Sequence, residues 1–143
     1  MVSRRLYLIV LGLMVLLPAC QFELGEPAAG TGVPQAPVVD RLSLNGDSLL
    51  ENNGPIITER PEAALELVAE ARAEGELSRV TIRVKRNDED YRQLTECAES
   101  PCRFDWTVSA ADDGVYSFLV EAEDARGGVT QLPYRNVLVV RIR

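Results

Sequence analysis

The chain contains no histidine. That removes the commonest general base and the commonest metal ligand together. A Ser-His-Asp triad, a Cys-His dyad and a histidine-ligated zinc site go with them. Cysteine is scarce: there are three, none in the Cys-x-x-C spacing of a thioredoxin-like redox motif. Positive charge is scarce too. Fifteen Lys and Arg face 22 Asp and Glu, a formal net charge of −7, which argues against nucleic acid, whose binding rests on neutralising phosphates. One Trp, four Tyr and three Phe leave little for an exposed aromatic platform that would bind a glycan. The acidic turns Asp88-Glu89-Asp90 and Asp112-Asp113 lack the ligand spacing of an EF-hand. They read as solvated turns, so no metal and no cofactor is expected. Without a nucleophile motif either, the chain is expected not to be an enzyme.

Long apolar runs are also missing. The longest, Leu6 to Leu17, is about a dozen residues, too short to cross ~30 Å of hydrocarbon as a helix and suited to the core of a signal peptide. Met1-Val2-Ser3-Arg4-Arg5 supplies the positive segment ahead of it, and Leu17-Pro18-Ala19-Cys20 closes it. Leu17 is too large for an ordinary signal-peptidase site. The four residues resemble the lipobox of bacterial lipoproteins, with Pro18 its least usual member. The resemblance implies a signal peptide over residues 1–19, cleavage between Ala19 and Cys20, and lipid on Cys20: a diacylglycerol thioether and an amide-linked third chain such as palmitate. Two or more chains give lasting attachment where one does not. Gln21 stands where Asp commonly retains a lipoprotein at the inner membrane. A host with two membranes would then carry the protein on the outer membrane or the cell surface. Residues 20–38 form the lipidated N-terminus and a Gly/Pro/Ala linker with no period of 2 or 3.6. A flexible tether of this length spans about 25 Å.

Residues 39–143 read as one domain. Leu42 and Leu44 share a face near its start. Val80, Ile82 and Val84 alternate with Thr81, Arg83 and Lys85. Phe104, Trp106 and Val108 alternate again, as do Tyr116, Phe118, Val120 and Ala122, and then Leu138, Val140 and Ile142. Turn-formers separate these runs: Asn45-Gly46-Asp47, Asn52-Asn53-Gly54-Pro55, residues 87–90 and 124–128. The stretch from Arg60 to Gly75 is ambiguous. Propensity and the spacing of Glu62, Glu66, Glu70 and Glu74 suit a helix; Leu65, Leu67, Ala69 and Ala71 suit one face of a strand.

Four pieces of this domain resemble bacterial Ig-like domains. They are the Ala69-Glu70-Ala71 to Val80 passage, Phe104-Asp105-Trp106-Thr107, Asp112-x-Gly114-x-Tyr116-x-Phe118, and Asp124-Ala125-Arg126-Gly127-Gly128. The resemblance makes residues 63–73 a strand and the fold all-β: an antiparallel Ig-like sandwich of about seven strands. It also implies a tyrosine corner built on Asp112, Gly114 and Tyr116, in which the Tyr116 hydroxyl bonds backbone near Asp112. Phe118 stands where an Ig cysteine would, so packing of Leu67, Ala69, Trp106 and Phe118 must hold the sheets.

Cys97 and Cys102 are expected to pair, because the leader sends the chain to an oxidising compartment. The bridge would brace the hairpin entering the Phe104 strand. Glu121 and Glu123 share a strand face and are expected to face water. Arg79, Arg83 and Lys85 form a basic stripe, either a binding surface for an anionic partner or one side of cross-strand pairs with Glu. The role expected is a lipid-anchored extracytoplasmic module for binding, adhesion or spacing in the cell envelope. Its partners would be the membrane, through lipid at Cys20, and an envelope protein or glycan. The alternative is an inhibitor or accessory subunit of an exported enzyme or envelope complex, inserting a loop formed by Tyr91 to Pro101.

Overall fold

The structure, a computed structural model, describes residues 35–50 and 53–143. The leader, Cys20 and most of the linker lie outside the described residues. The domain is all-β, two sheets packed as a β-sandwich. β1 (Val38–Leu44) turns through Asn45-Gly46 into β2 (Asp47–Ser48). Both turn residues have positive φ, 52° and 88°, the geometry a two-residue hairpin with right-handed twist requires and Asn-Gly adopts most readily. β3 (Ile56–Thr58), β4 (Ala64–Arg72), β5 (Leu77–Arg86), β6 (Arg92–Cys97), β7 (Cys102–Thr107), β8 (Gly114–Asp124) and β9 (Val129–Val140) follow, with a short 3-10 turn at Ala110–Asp112. One sheet runs β2-β1-β4-β7 and the other β3-β9-β8-β5-β6.

The core lies between them. Leu42, Leu44, Leu65, Leu67 and Ala69 come from the first sheet. Val80, Ile82, Val84, Tyr116, Phe118, Val120 and Leu138 come from the second, and all are buried. Val39 and Leu42 are three apart yet both point inward, because a bulge between Val39 and Arg41 resets the pleat. Residues 64–72 are a strand, not a helix. Leu65, Leu67, Ala69 and Ala71 are buried on one side. On the other, Glu66 bonds Arg103 at 2.8 Å and Glu70 bonds Arg41 at 2.5 Å.

Four expectations need correction. The pairing is not antiparallel throughout: β3 runs parallel to β9, with Ile56, Ile57 and Thr58 opposite Leu138, Val139 and Val140. The strands among the described residues number nine, since the turn-rich stretch after β1 still contributes the short β2 and β3. The last strand starts at Val129, well before Leu138. It tolerates Pro133 because β3 covers only residues 138–140, leaving the first half of β9 as an edge. Finally, Tyr91 to Pro101 is not an insertion loop, because residues 92–97 form β6 against β5. That leaves a tight connection of residues 98–101.

Candidate functional site

The registers give the sandwich two distinct ends. Val38 lies opposite Arg72, Leu77 opposite Asp124 and Val129 opposite Glu123. The chain therefore enters at the end carrying residues 73–76, 98–101 and 125–128. Val140 lies opposite Gly114, so it leaves at the other end, which carries residues 45–46, 60–63, 87–91 and 108–113.

The exit end is organised by Tyr116. Its hydroxyl donates to the Asp112 carbonyl at 2.5 Å, and its ring meets Trp106 edge-on at 4.9 Å. Burial first, and then the Asp112 charge, push the phenol above its usual pKa. The Asp112 carboxylate itself accepts the Ser109 backbone N–H at 2.7 Å and its hydroxyl at 2.8 Å, closing the 3-10 turn. Gly114 is required here: a Cβ would fall 2.8 Å from Arg86 Cγ, at a φ of 156°. Arg86 spans the same corner, donating to the Ala111 carbonyl at 2.8 Å and to Glu89 at 3.2 Å. Asp113 accepts the Ile142 N–H at 2.6 Å. These carboxylates thus bind backbone and side-chain donors. Among the described residues, no group of three acidic or cysteine side chains converges on one point.

The basic stripe on β5 is compensated across its neighbours. Arg79 bonds Glu123 on β8 and approaches Glu96 on β6 at 3.9 Å. Arg83 approaches Glu121 at 4.0 Å, and its Nε is buried with no hydrogen-bond partner among the described residues. Lys85 lies over the Tyr91 ring, 5.4 Å from its centroid. Glu121 also accepts from Gln131 at 2.6 Å. The opposite sheet repeats the device with Arg41–Glu70, Arg72–Asp40 and Arg103–Glu66.

At the entry end, Cys97 and Cys102 form a disulfide with Cα atoms 5.4 Å apart. It does not brace a hairpin: β6 and β7 belong to different sheets, so the bridge clips the place where the chain crosses between them. The spacing of the two cysteines could not reveal this. Asp124 was legible only as a turn residue. It continues the inward series Tyr116, Phe118, Val120 and Ala122, and is buried. Its carboxylate accepts the Gly128 N–H at 2.8 Å and the Arg126 N–H at 2.9 Å. Those bonds, the one from Gly128 foremost, hold it below the usual carboxylate range against the opposing effect of burial.

A groove of about 320 Å³ beside the β1 bulge is lined by Leu49, Leu50, Leu132 and Tyr134, with Asp40 and Arg41 at its rim. Both rim charges already have partners. Among the described residues no helix is long and apolar enough to cross a membrane. Comparisons with protein-family models, with curated proteins and with solved structures give no match.

Proposed function

We propose that this chain is a lipid-anchored, extracytoplasmic Ig-like module that binds, adheres or spaces in the cell envelope. The order β1-β4-β7 facing β9-β8-β5-β6 supports the Ig-like reading. It corresponds to strands A-B-E facing G-F-C-C′ of that fold. The Tyr116 bond to the Asp112 carbonyl supports it further, being the corner that pins the strand leaving the last crossover. The observation that carries the functional reading is the polarity of the domain. A chain held at Cys20 enters at the end bearing residues 98–101 and 125–128. The Tyr116 corner and residues 87–91 lie at the opposite end of the domain. In this reading the lipid holds, residues 20–38 space, and the sandwich displays edges and loops.

The test is Cys20→Ala in cells expressing the full chain. Wild type is expected to partition with membranes and detergent, with a mass increment of acylated cysteine on the mature N-terminus. The variant is expected in the soluble fraction or as uncleaved precursor. Membrane association unchanged by the substitution, with no lipid on the wild type, would overturn the proposal.

A further inference from the structure

An edge strand exposes unpaired N–H and C=O groups, and folded proteins normally blunt such edges. Here most are blunted. β2 and β3 have two and three residues. β1 carries the bulge at Asp40. β6 skips Leu94 where its register with β5 shifts. The free half of β9 contains Pro133. β7 is the exception: six residues, paired with β4 in unbroken register and, among the described residues, with no strand on its other side.

The direction of its backbone groups follows from the residue just beyond it. Val108 donates to the Ala63 carbonyl at 3.1 Å and accepts from Glu62 at 2.9 Å, so its groups point toward β4. By the alternation of an antiparallel ladder, Cys102, Phe104 and Trp106 do the same, and Arg103, Asp105 and Thr107 aim their N–H and C=O groups outward.

The side chains along this edge are also incompletely used. Phe104 and Trp106 point inward yet are only half-buried, as is Leu94 on β6. Arg103 is held by Glu66 at 2.8 Å. Asp105 makes no ion pair among the described residues, and directly opposite it on β4 stands Glu66, another acid. The middle of the edge is therefore anionic and flanked by apolar rings.

We propose that the outer edge of β7 is a strand-docking site. It takes an extended segment of a partner protein, antiparallel to β7, with a Lys or Arg between two apolar residues. The basic side chain lies opposite Asp105 on the outer face, in a pair that exchanges both backbone hydrogen bonds with it. The two apolar residues lie opposite Trp106 and Phe104 on the inner face and close the gap above Leu94. This deepens the reading of the domain as a binding module but does not depend on lipid at Cys20. A full chain carrying Cys20→Ala keeps the site, so the two claims fail separately.

The probe is the synthetic peptide acetyl-Thr-Thr-Val-Lys-Val-Thr-Thr-amide, titrated to millimolar concentration against the full chain in detergent. Trp106 is the chain's one tryptophan and reports directly. A saturable blue shift of its emission is expected, with slowed amide exchange at Arg103, Asp105 and Thr107. The peptide with Glu for Lys should bind roughly five- to ten-fold more weakly, as a cross-strand pair changes from opposite to like charge. In Asp105→Lys that preference should reverse. The proposal is overturned if those three amides are not slowed by the peptide, or if a peptide N-methylated at Lys binds equally well. It is also overturned if sedimentation finds a dimer in which the three amides are already protected without peptide, since a second copy would then be the occupant.

Discussion

Replacing Tyr116 by Phe removes one oxygen and leaves the ring. The Tyr116 side chain is 2% exposed, so Phe fits the space and keeps the edge-on contact with Trp106. What is lost is the 2.5 Å bond to the Asp112 carbonyl, which leaves an acceptor with one bond fewer beside the 3-10 turn. A hydrogen bond of this kind contributes about 1 kcal/mol net. In a domain of this size that lowers the melting temperature by about 4–8 °C. The assay is thermal unfolding followed by Trp106 fluorescence and far-UV circular dichroism. Asp112→Asn tests the turn separately, since it alters the carboxylate that Ser109 binds and leaves the backbone acceptor of the corner bond in place. A second signature is alkaline. The folded pKa of Tyr116 is raised above the ordinary 10.0, so its contribution is complete below that value and lost as pH rises through the folded one. Tyr116→Phe should lack this loss, and the two proteins should converge in stability at high pH. A Tyr116→Phe melting point within 1 °C or so of wild type at neutral pH would refute the argument that the corner is held by this bond.

Two further outcomes follow from the entry end. Reducing Cys97–Cys102 frees a six-residue loop and should cost about 2 kcal/mol in the chain-entropy estimate, a fall in melting temperature of roughly 10 °C. An unchanged melt, with both thiols shown free by mass spectrometry, would contradict this. Asp124→Asn should lower stability at neutral pH. Because the folded pKa is depressed below the ordinary 3.8, the difference from wild type should hold above that value and shrink as pH falls through the carboxylate range toward the folded one. A gap between the two proteins that does not change with pH would show that the charge on Asp124 is not what matters.

The strands with clean alternation were readable because the core face carries an apolar run, while the residues between are polar or partly exposed; Thr81 and Ser117 are buried on the outer face. Val80, Ile82 and Val84, or Tyr116 to Ala122, are buried as their period of two implied. β4 was harder for a physical reason: residues four apart lie on one face of a helix and also on one face of a strand, so Glu66 and Glu70 fit both. The arginines that bind them come from β7 and β1, far off in sequence. Period two failed where the chain breaks it. The Asp40 bulge put Val39 and Leu42 on one side, and β9 contains both a proline and a positive-φ Asn136 held by the Ser117 hydroxyl at 2.8 Å. The candidate sites divide in the same way. The acidic corner was local and visible around Tyr116, whereas the compensation of Arg79 and Arg83 depends on which strands become neighbours. So does the free edge of β7, beyond which no strand follows in the sheet among the described residues.

The parallel pairing of β3 with β9 has a mechanical consequence. The chain enters the sandwich through β1 at one end and leaves through β9 at the other, and β3, third in order, joins the N-terminal part of the domain to β9. Tension applied between the termini therefore runs along the strands. It loads β1 against β4 first, and β3 against β9 behind it, in shear, so the bonds of each ladder bear the load together and do not open one at a time. Stretched singly between its ends, the domain should resist and then give way in one event. A stepwise, low-force peeling would show that the load takes another path.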